Sequence, residues 1–464
     1  MAALVVITLH PVQPARHLHT AGVRGRRVAA RAGRGRSFEG AHARDRRVMV
    51  KGPGLRKSSA FSGRRSSFQS RSSGAHDTFL TAPGVASPTR SRSEGCPPLE
   101  PQDTPLDMSQ GERVSRYSEV AGALALHSDR QLGEALEQAQ TLGSGIGGTS
   151  VLLDIDGVPV FAKRIPLTDL ERRPGNVMST ANLFGLPPFC QYGIAAIGTP
   201  GFGAWRELAA AVMTTNWVLA GRSAAFPLLY HWRVLPGAPP PTDVHADVEA
   251  AVRYWDGSPA VRDRLHALAR ASAGIVLFQE FIPHNLDNWL AAQRGAGQDA
   301  AVAASAMVES CLLTDVAFMN SQELVHFDGH FGNILTDGER LYIADLGLAT
   351  SSRFDLSEQE IAFLERNRTH DLGYAMMRLV NWLVVNVCGV TVPPNGIPGE
   401  RNDYIRACAD GADPAGAPPA VAAVIRRYAP VAAAMNDFYW DLYGTSRTTP
   451  YPNEKIERAL SAMR

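Results

Sequence analysis

The sequence predicts an α+β fold, and three observations carry that reading. Residues 151–165 hold two apolar runs around Asp156-Gly157, the signature of a hairpin. Residues 325–347 repeat the device: Val325-His326-Phe327 leads in, then Ile334-Leu335-Thr336 and Leu341-Tyr342-Ile343-Ala344 flank Asp337-Gly338. From His284 onward helical apolar spacing dominates.

With 464 residues and 45% apolar content, the chain suffices for two or three domains, or for one enzyme in two parts with a tail. Its net charge of +1 conceals a split. Residues 1–107 hold 18 Lys and Arg against 7 Asp and Glu, and the remainder holds 28 against 38. The first stretch is rich in Arg, Ser, Gly and Pro with little apolar period, so it is predicted to be disordered. It reads as a basic arm for nucleic acid or anionic membrane, as an organellar transit peptide, or as an extension without function. The abrupt change of composition at Met108 favours the last, so no specific nucleic-acid partner is predicted. The five cysteines, Cys96, Cys190, Cys311, Cys388 and Cys408, match neither a disulfide framework nor zinc spacing. A reducing compartment, the cytoplasm, fits that usage. No run approaches 18 apolar residues, so no transmembrane span is expected.

Taken in order, a helix is expected over 118–140, followed by Gly143, Gly145 and Gly148 in a G-x-G-x-x-G row. Val151-Leu152-Leu153 and the run from Val158 to Ile165 form the hairpin strands, with Lys163 on the second. A glycine-rich tip lets backbone N–H groups approach phosphates without Cβ obstruction. Residues 166–204 read as loop. A helix opens at Trp205, with Leu208, Val212, Met213, Trp217 and Val218 on its apolar face. A strand over 226–235, helices over 248–254 and 260–270, and a buried strand over 275–281 follow. Helices are then expected over 288–293, 299–321, 357–365 and 371–387. Trp382, Tyr404, Phe438, Tyr439 and Trp440 read as packing residues.

The second hairpin carries the chemistry. A hairpin brings the residues before its first strand close to those after its second. Asn333 and Asp345 can therefore converge on one divalent cation, with Asp328 beside them to receive a proton. Two hard oxygen ligands that leave room for phosphate oxygens suit magnesium.

His326-Phe327-Asp328, Asn333 and Asp345-Leu346-Gly347 together resemble the catalytic core of the protein-kinase-like superfamily. The resemblance covers residues 140–390 and implies a two-lobed fold, a small antiparallel β lobe over 108–280 and a larger helical lobe over 281–464. It implies ATP and Mg2+ in the cleft, Asp328 as catalytic base, Asn333 and Asp345 as metal ligands, and His326 as a brace. Gly143, Gly145, Gly148 and Lys163 would hold the phosphates. Glu207 would pair with Lys163, with Glu171 the runner-up, because the gap from Lys163 to Glu207 exceeds the family's usual length. Glu280 and Phe281 would meet the adenine through backbone groups, and Asp371 would either hold the catalytic loop or cap its helix. The implied activity is transfer of the ATP γ-phosphate to a hydroxyl, foremost by a serine/threonine protein kinase. Phe327 stands where regulated protein kinases carry Arg, no Ala-Pro-Glu follows Asp345, and Asp328, His330 and Asn333 form a D-x-H-x-x-N loop. These departures resemble aminoglycoside and choline kinases and keep a small-molecule acceptor in play. A nucleotide-binding pseudokinase used as an interaction module is the third reading.

Overall fold

A computed structural model describes residues 110–145, 148–193, 198–239, 245–393 and 398–463. The stretch expected to be disordered, 1–107, lies outside them, as do Ile146 and Gly147 at the tip of the glycine row. The fold is mixed α+β with antiparallel sheets.

Two helices, α1 (Gln110–Leu126) and α2 (Asp129–Gln138), stand where the sequence predicts one. Ser128 makes the break. Its hydroxyl accepts from the Gln131 N–H while the Gln131 side chain accepts from the Ser128 N–H, a capping box that starts a new helix. Then come β1 (Gln140–Gly145), β2 (Gly148–Ile155) and β3 (Val158–Leu167). Asp156 and Gly157 both take positive φ, as a two-residue hairpin requires. A long connection leads to α3 (Ala204–Leu219), β4 (Leu229–Pro236), the helix pair α4 (Val248–Tyr254) and α5 (Pro259–Ala269), and β5 (Ala273–Glu280). The five strands form one antiparallel sheet in the order β1-β2-β3-β5-β4. β5 lies inside the sheet, and its run Ile275–Phe278 is fully buried.

Helices dominate thereafter. The chain continues through β6 (His284–Asn285), α6 (Leu286–Ala296), α7 (Gln298–Ser321), β7 (Leu324–Val325), β8 (Ile334–Thr336), β9 (Leu341–Ile343) and β10 (Thr350–Ser351). It ends with α8 (Glu358–Arg366), α9 (His370–Asn386), α10 (Gly399–Ala409), α11 (Pro419–Gly444) and α12 (Asn453–Ser461). The expected hairpin is β8–β9, but its loop has four residues, not two. The Asp337 carboxylate accepts from the N–H groups of Glu339 and Arg340, which widens the turn. α9 packs between α7 and α11. Among the described helices α7 alone is long and apolar enough to cross a membrane by length and composition. It also packs on α6 and α9, as a core helix does, so there is no clear transmembrane segment.

Two packing expectations fail for the same reason, a small error in helical phase. α3 buries Leu208, Ala211, Thr215 and Val218, which leaves Val212 outside. α11 buries Phe438 and Tyr439 and turns Trp440 to solvent at 48% exposure.

The end of β5 is fixed from outside the sheet by a residue that the sequence does not flag. Arg113 of α1 is buried, pairs twice with the Glu280 carboxylate at 2.6 and 3.0 Å, and donates to the carbonyls of Ala224 and Phe226. Arg113→Met would leave Glu280 buried without its counter-charge. It should cost about 3–5 kcal/mol, read from the urea midpoint; a loss below about 1 kcal/mol would show that the pair is idle.

Asp315 on α7 supplies a pH signature. Burial pushes its carboxyl from the ordinary 3.8 up to about 6. The folded chain therefore holds that proton more tightly than the unfolded one, and stability declines as pH rises through 6. In Asp315→Asn the melting temperature should gain on the wild type between about pH 4 and about pH 7. An equal gap at both ends would refute the assignment.

Candidate active site

The loop between β7 and β8 is held from beneath. Asp371, at the second position of α9, accepts from the backbone N–H groups of His326 (2.6 Å) and Phe327 (3.0 Å) and from the Asn320 amide (2.9 Å). Burial alone would raise its carboxyl, yet these donors and His370 hold it below its ordinary range. The cap of α9 is Thr369, so Asp371 serves the loop and not the helix end. His326 spans the loop: one ring nitrogen lies 2.8 Å from the Ala344 carbonyl, and the other accepts from the Asp328 N–H at 3.2 Å. With this bracing Phe327 and Asp345 both sit at positive φ, 65° and 53°, a conformation that non-glycine residues adopt only where the surroundings impose it.

Asp328 receives the amide nitrogen of Asn333 on its Oδ2 at 3.2 Å and on its own carbonyl at 3.0 Å. Desolvation pushes its carboxyl up to about 7, the Asp345 charge adds to this, and His326 and Asn333 oppose it. A carboxylate poised near neutrality suits proton acceptance. The Asn333 amide spends its nitrogen on Asp328, so its oxygen is the group free for a cation. The residue before Asp345 is tied to Asn333, since the Ala344 N–H donates to the Asn333 carbonyl at 3.0 Å. No group of three or more His, Cys, Asp or Glu among the described residues is disposed to hold a metal. One carboxylate and one amide oxygen fit a cation that keeps its other positions for water and phosphate, the habit of magnesium.

Lys163 meets this pair from the sheet. Its ammonium is buried and lies 2.7 Å from both Glu207 Oε1 and Asp345 Oδ1. Burial works to discharge the lysine, but the two carboxylates hold its pKa well above the usual value. Glu207, not Glu171, is thus the partner. Glu171 is buried elsewhere, paired with Arg264 at 2.9 Å and accepting from Thr168. Strand register explains the glycine row. Gly143 pairs with Ser150 and Ser150 with Lys163, so these three residues share one face of the sheet. Gly145 pairs with Gly148 at the described edge of the tip. Gly148 has a structural reason of its own, because a Cβ there would lie 1.9 Å from the Arg164 carbonyl oxygen.

The Glu280 N–H, one of the backbone groups expected to meet adenine, is committed within the protein. It donates to the Leu228 carbonyl at 2.8 Å, and the Glu280 carboxylate is spent on Arg113 and the Leu228 N–H, so Glu280 has no N–H left for a purine. Phe281, beside it, is half-buried.

The residue most clearly missed is Gly193, read in sequence only as part of a loop. The connection from β3 to α3 runs down to the helical half. Gln191 donates to the Leu348 carbonyl, and the buried Tyr192 hydroxyl donates to Asn367 at 2.7 Å. The Tyr192 ring packs among Phe327, Phe363, His370 and Phe438. The Gly193 N–H reaches the Phe327 carbonyl at 3.4 Å, and a Cβ at 193 would lie 1.9 Å from Asp328 Oδ1. The same connection is tied to α3 and α8. Arg206, next to Glu207, donates to the Thr180 carbonyl and pairs with the buried Glu360 at 2.7 Å.

Gly193→Ala therefore forces the strap or the Asp328 carboxylate to move and should destabilise by about 1–3 kcal/mol in thermal unfolding. Gly329→Ala, where a Cβ meets nothing within 4 Å, is the control and should stay within about 0.5 kcal/mol. Equal effects would deny the contact.

Compared with models of known protein families and with curated proteins, the chain finds no match.

Proposed function

We propose that this chain is a two-lobed, protein-kinase-like phosphotransferase that moves the γ-phosphate of ATP to a hydroxyl. The observation that carries the reading is Lys163, held at 2.7 Å from both Glu207 and Asp345 on the sheet face shared with Gly143. An ammonium placed there can exchange a carboxylate for phosphate oxygens with little rearrangement. Asn333 and Asp345 would hold magnesium, whose chemistry is to neutralise charge on the phosphates. Asp328 orients the acceptor hydroxyl and takes its proton. The acceptor oxygen forms its bond to the γ-phosphorus while the bridging P–O bond breaks, and that electron pair leaves with ADP. Positioning supplies most of the acceleration.

Of the acceptor classes that the sequence leaves open, a small molecule is better supported than a protein serine or threonine. A polypeptide acceptor needs an extended surface beside the base. Residues 180–193 already cover the segment after Asp345, through Thr180 to Asp355, Gln191 to Leu348 and Tyr192 to Asn367.

Two variants separate binding from transfer. ATP with magnesium at 100 times its dissociation constant should stabilise the wild type by about 2.7 kcal/mol, and Asp345→Ala should abolish the shift. Asp328→Ala should keep the shift and lose about 10²–10⁴-fold in transfer of labelled phosphate to a metabolite pool. Full transfer by Asp328→Ala would overturn the mechanism. Stabilisation without transfer to metabolites or peptides would leave the interaction-module reading.

A further inference from the structure

Near His330 of the catalytic loop stands Arg378, with Arg401 behind it, two guanidiniums for which phosphoryl transfer itself has no use. Arg378 lies seven residues after Asp371 on α9, on the same helical face and so towards the catalytic loop. It sits over the buried ring of Phe331, 5.3 Å from the centroid. Its Nη2 lies 3.7 Å from Asp287 Oδ1, beyond hydrogen-bond reach, and its Nε is buried with no partner among the described residues. A guanidinium has five N–H donors to satisfy.

Arg401 of α10 stands close by. Burial, and next the charge of Arg378, push its guanidinium down to about 10. Its hydrogen bonds among the described residues run only to the neutral amide oxygens of Asn402 and Asn436. Two like charges, partly withdrawn from water and paired among the described residues only with the Asp287 carboxylate at 3.7 Å, raise the energy of the resting protein. An anion between them would lower it.

Arg378 is linked to Asp328 by the side chains between them. His330 Nε2 lies 3.9 Å from Asp328 Oδ1, and a Cβ at Gly332 would touch the His330 ring at 2.9 Å and approach the Asp287 carboxylate at 3.7 Å. Asp328, His330, Asp287 and Arg378 thus follow one another, with 25, 38, 49 and 31% of their side-chain surface exposed. All four are open enough to meet a solute. Asp287 is the resting counter-charge. At 3.7 Å and half-exposed it holds Arg378 weakly, and a bidentate carboxylate or phosphate would outcompete it.

We propose that Arg378, backed by Arg401, is the subsite for an anionic group on the acceptor, so that the chain phosphorylates a small hydroxylated anion, with Gly193 packed against the Asp328 carboxylate. The inference rests on the phosphotransferase reading above and deepens it. The bonds made and broken are those already written. The arginines touch only the non-reacting end of the acceptor.

The test uses the full chain saturated with magnesium and a non-hydrolysable ATP analogue, and three matched probes: glycerol, glycerate and glycerol 3-phosphate. Thermal shift and titration calorimetry should detect the two anions and not the neutral alcohol. Arg378→Gln should weaken anion binding about ten- to a hundredfold, the worth of a lost charge-assisted hydrogen bond. Arg401→Gln should weaken it less, and Arg378→Lys, which keeps the charge, should fall between wild type and Arg378→Gln. The nucleotide shift reports whether each variant is folded. A clear nucleotide shift with equal response to all three probes, or with anion binding untouched in Arg378→Gln and Arg401→Gln, would overturn the anionic subsite and spare phosphoryl transfer. No nucleotide shift in the wild type would overturn the phosphotransferase reading itself, and the subsite with it. Glycerate and glycerol 3-phosphate, compared with each other, tell a carboxylate site from a phosphate site.

Discussion

One buried ammonium joins the parts of this molecule. Lys163 on β3 is shared by Glu207 on α3 and Asp345 beyond β9, each at 2.7 Å. The three residues lie far apart in sequence and on three different elements. Neither carboxylate is supported by another cation at hydrogen-bond distance among the described residues. Without Lys163 the buried Glu207 and the part-exposed Asp345 would face each other as two negative groups, and their repulsion would favour protonation of one of them. The sheet, the helix and the catalytic loop are therefore registered by charge as well as by packing.

The loop below depends on a second polar anchor of the opposite sign convention, a carboxylate that serves backbone donors. Asp371 ties the N–H groups of His326 and Phe327. That anchoring is what keeps Phe327 and Asp345 in left-handed backbone conformations. Strain of this kind persists only in surroundings that over-determine it, and here the surroundings are named: Asp371, His326, the aromatic cluster around Tyr192, and the β8–β9 hairpin. The Gly193 strap adds a lid of backbone over one edge of the Asp328 carboxylate.

Local patterns in the chain were easier to read than contacts between distant segments. The hairpins at 156–157 and 337–340, the buried strand β5 and the helices from α6 to α9 follow from turn chemistry and apolar period, which act over a few residues. Asp328, Asn333 and Asp345 follow from the hairpin that carries them, whereas Lys163 and Glu207 are singled out by the resemblance to kinases, and the structure brings Lys163, Glu207 and Asp345 together. Helical phase was less legible, since one residue is 100° on a helix, and Val212 and Trp440 fell on the wrong side. Arg113, Gly193 and Arg378 left no signal. Their partners are 167, 135 and 91 residues away, and nothing in a lone arginine or a loop glycine says what it will meet. Glu280 shows the converse. Its position in the chain suggested a backbone contact with adenine, but its N–H goes to the Leu228 carbonyl and a distant arginine takes its carboxylate.

Adjacent residues of α3 carry opposite charges to different masters. Glu207 is bound to the sheet through Lys163, and Arg206 is bound through Glu360 to α8. A helix pinned this way is a rivet and not a lever. Swinging it outward would break two ion pairs whose members are buried, apart from the packing lost with them. On the proposed function, Lys163, Glu207 and Asp345 would then stand assembled before any substrate arrives, with no mechanical clutch at α3.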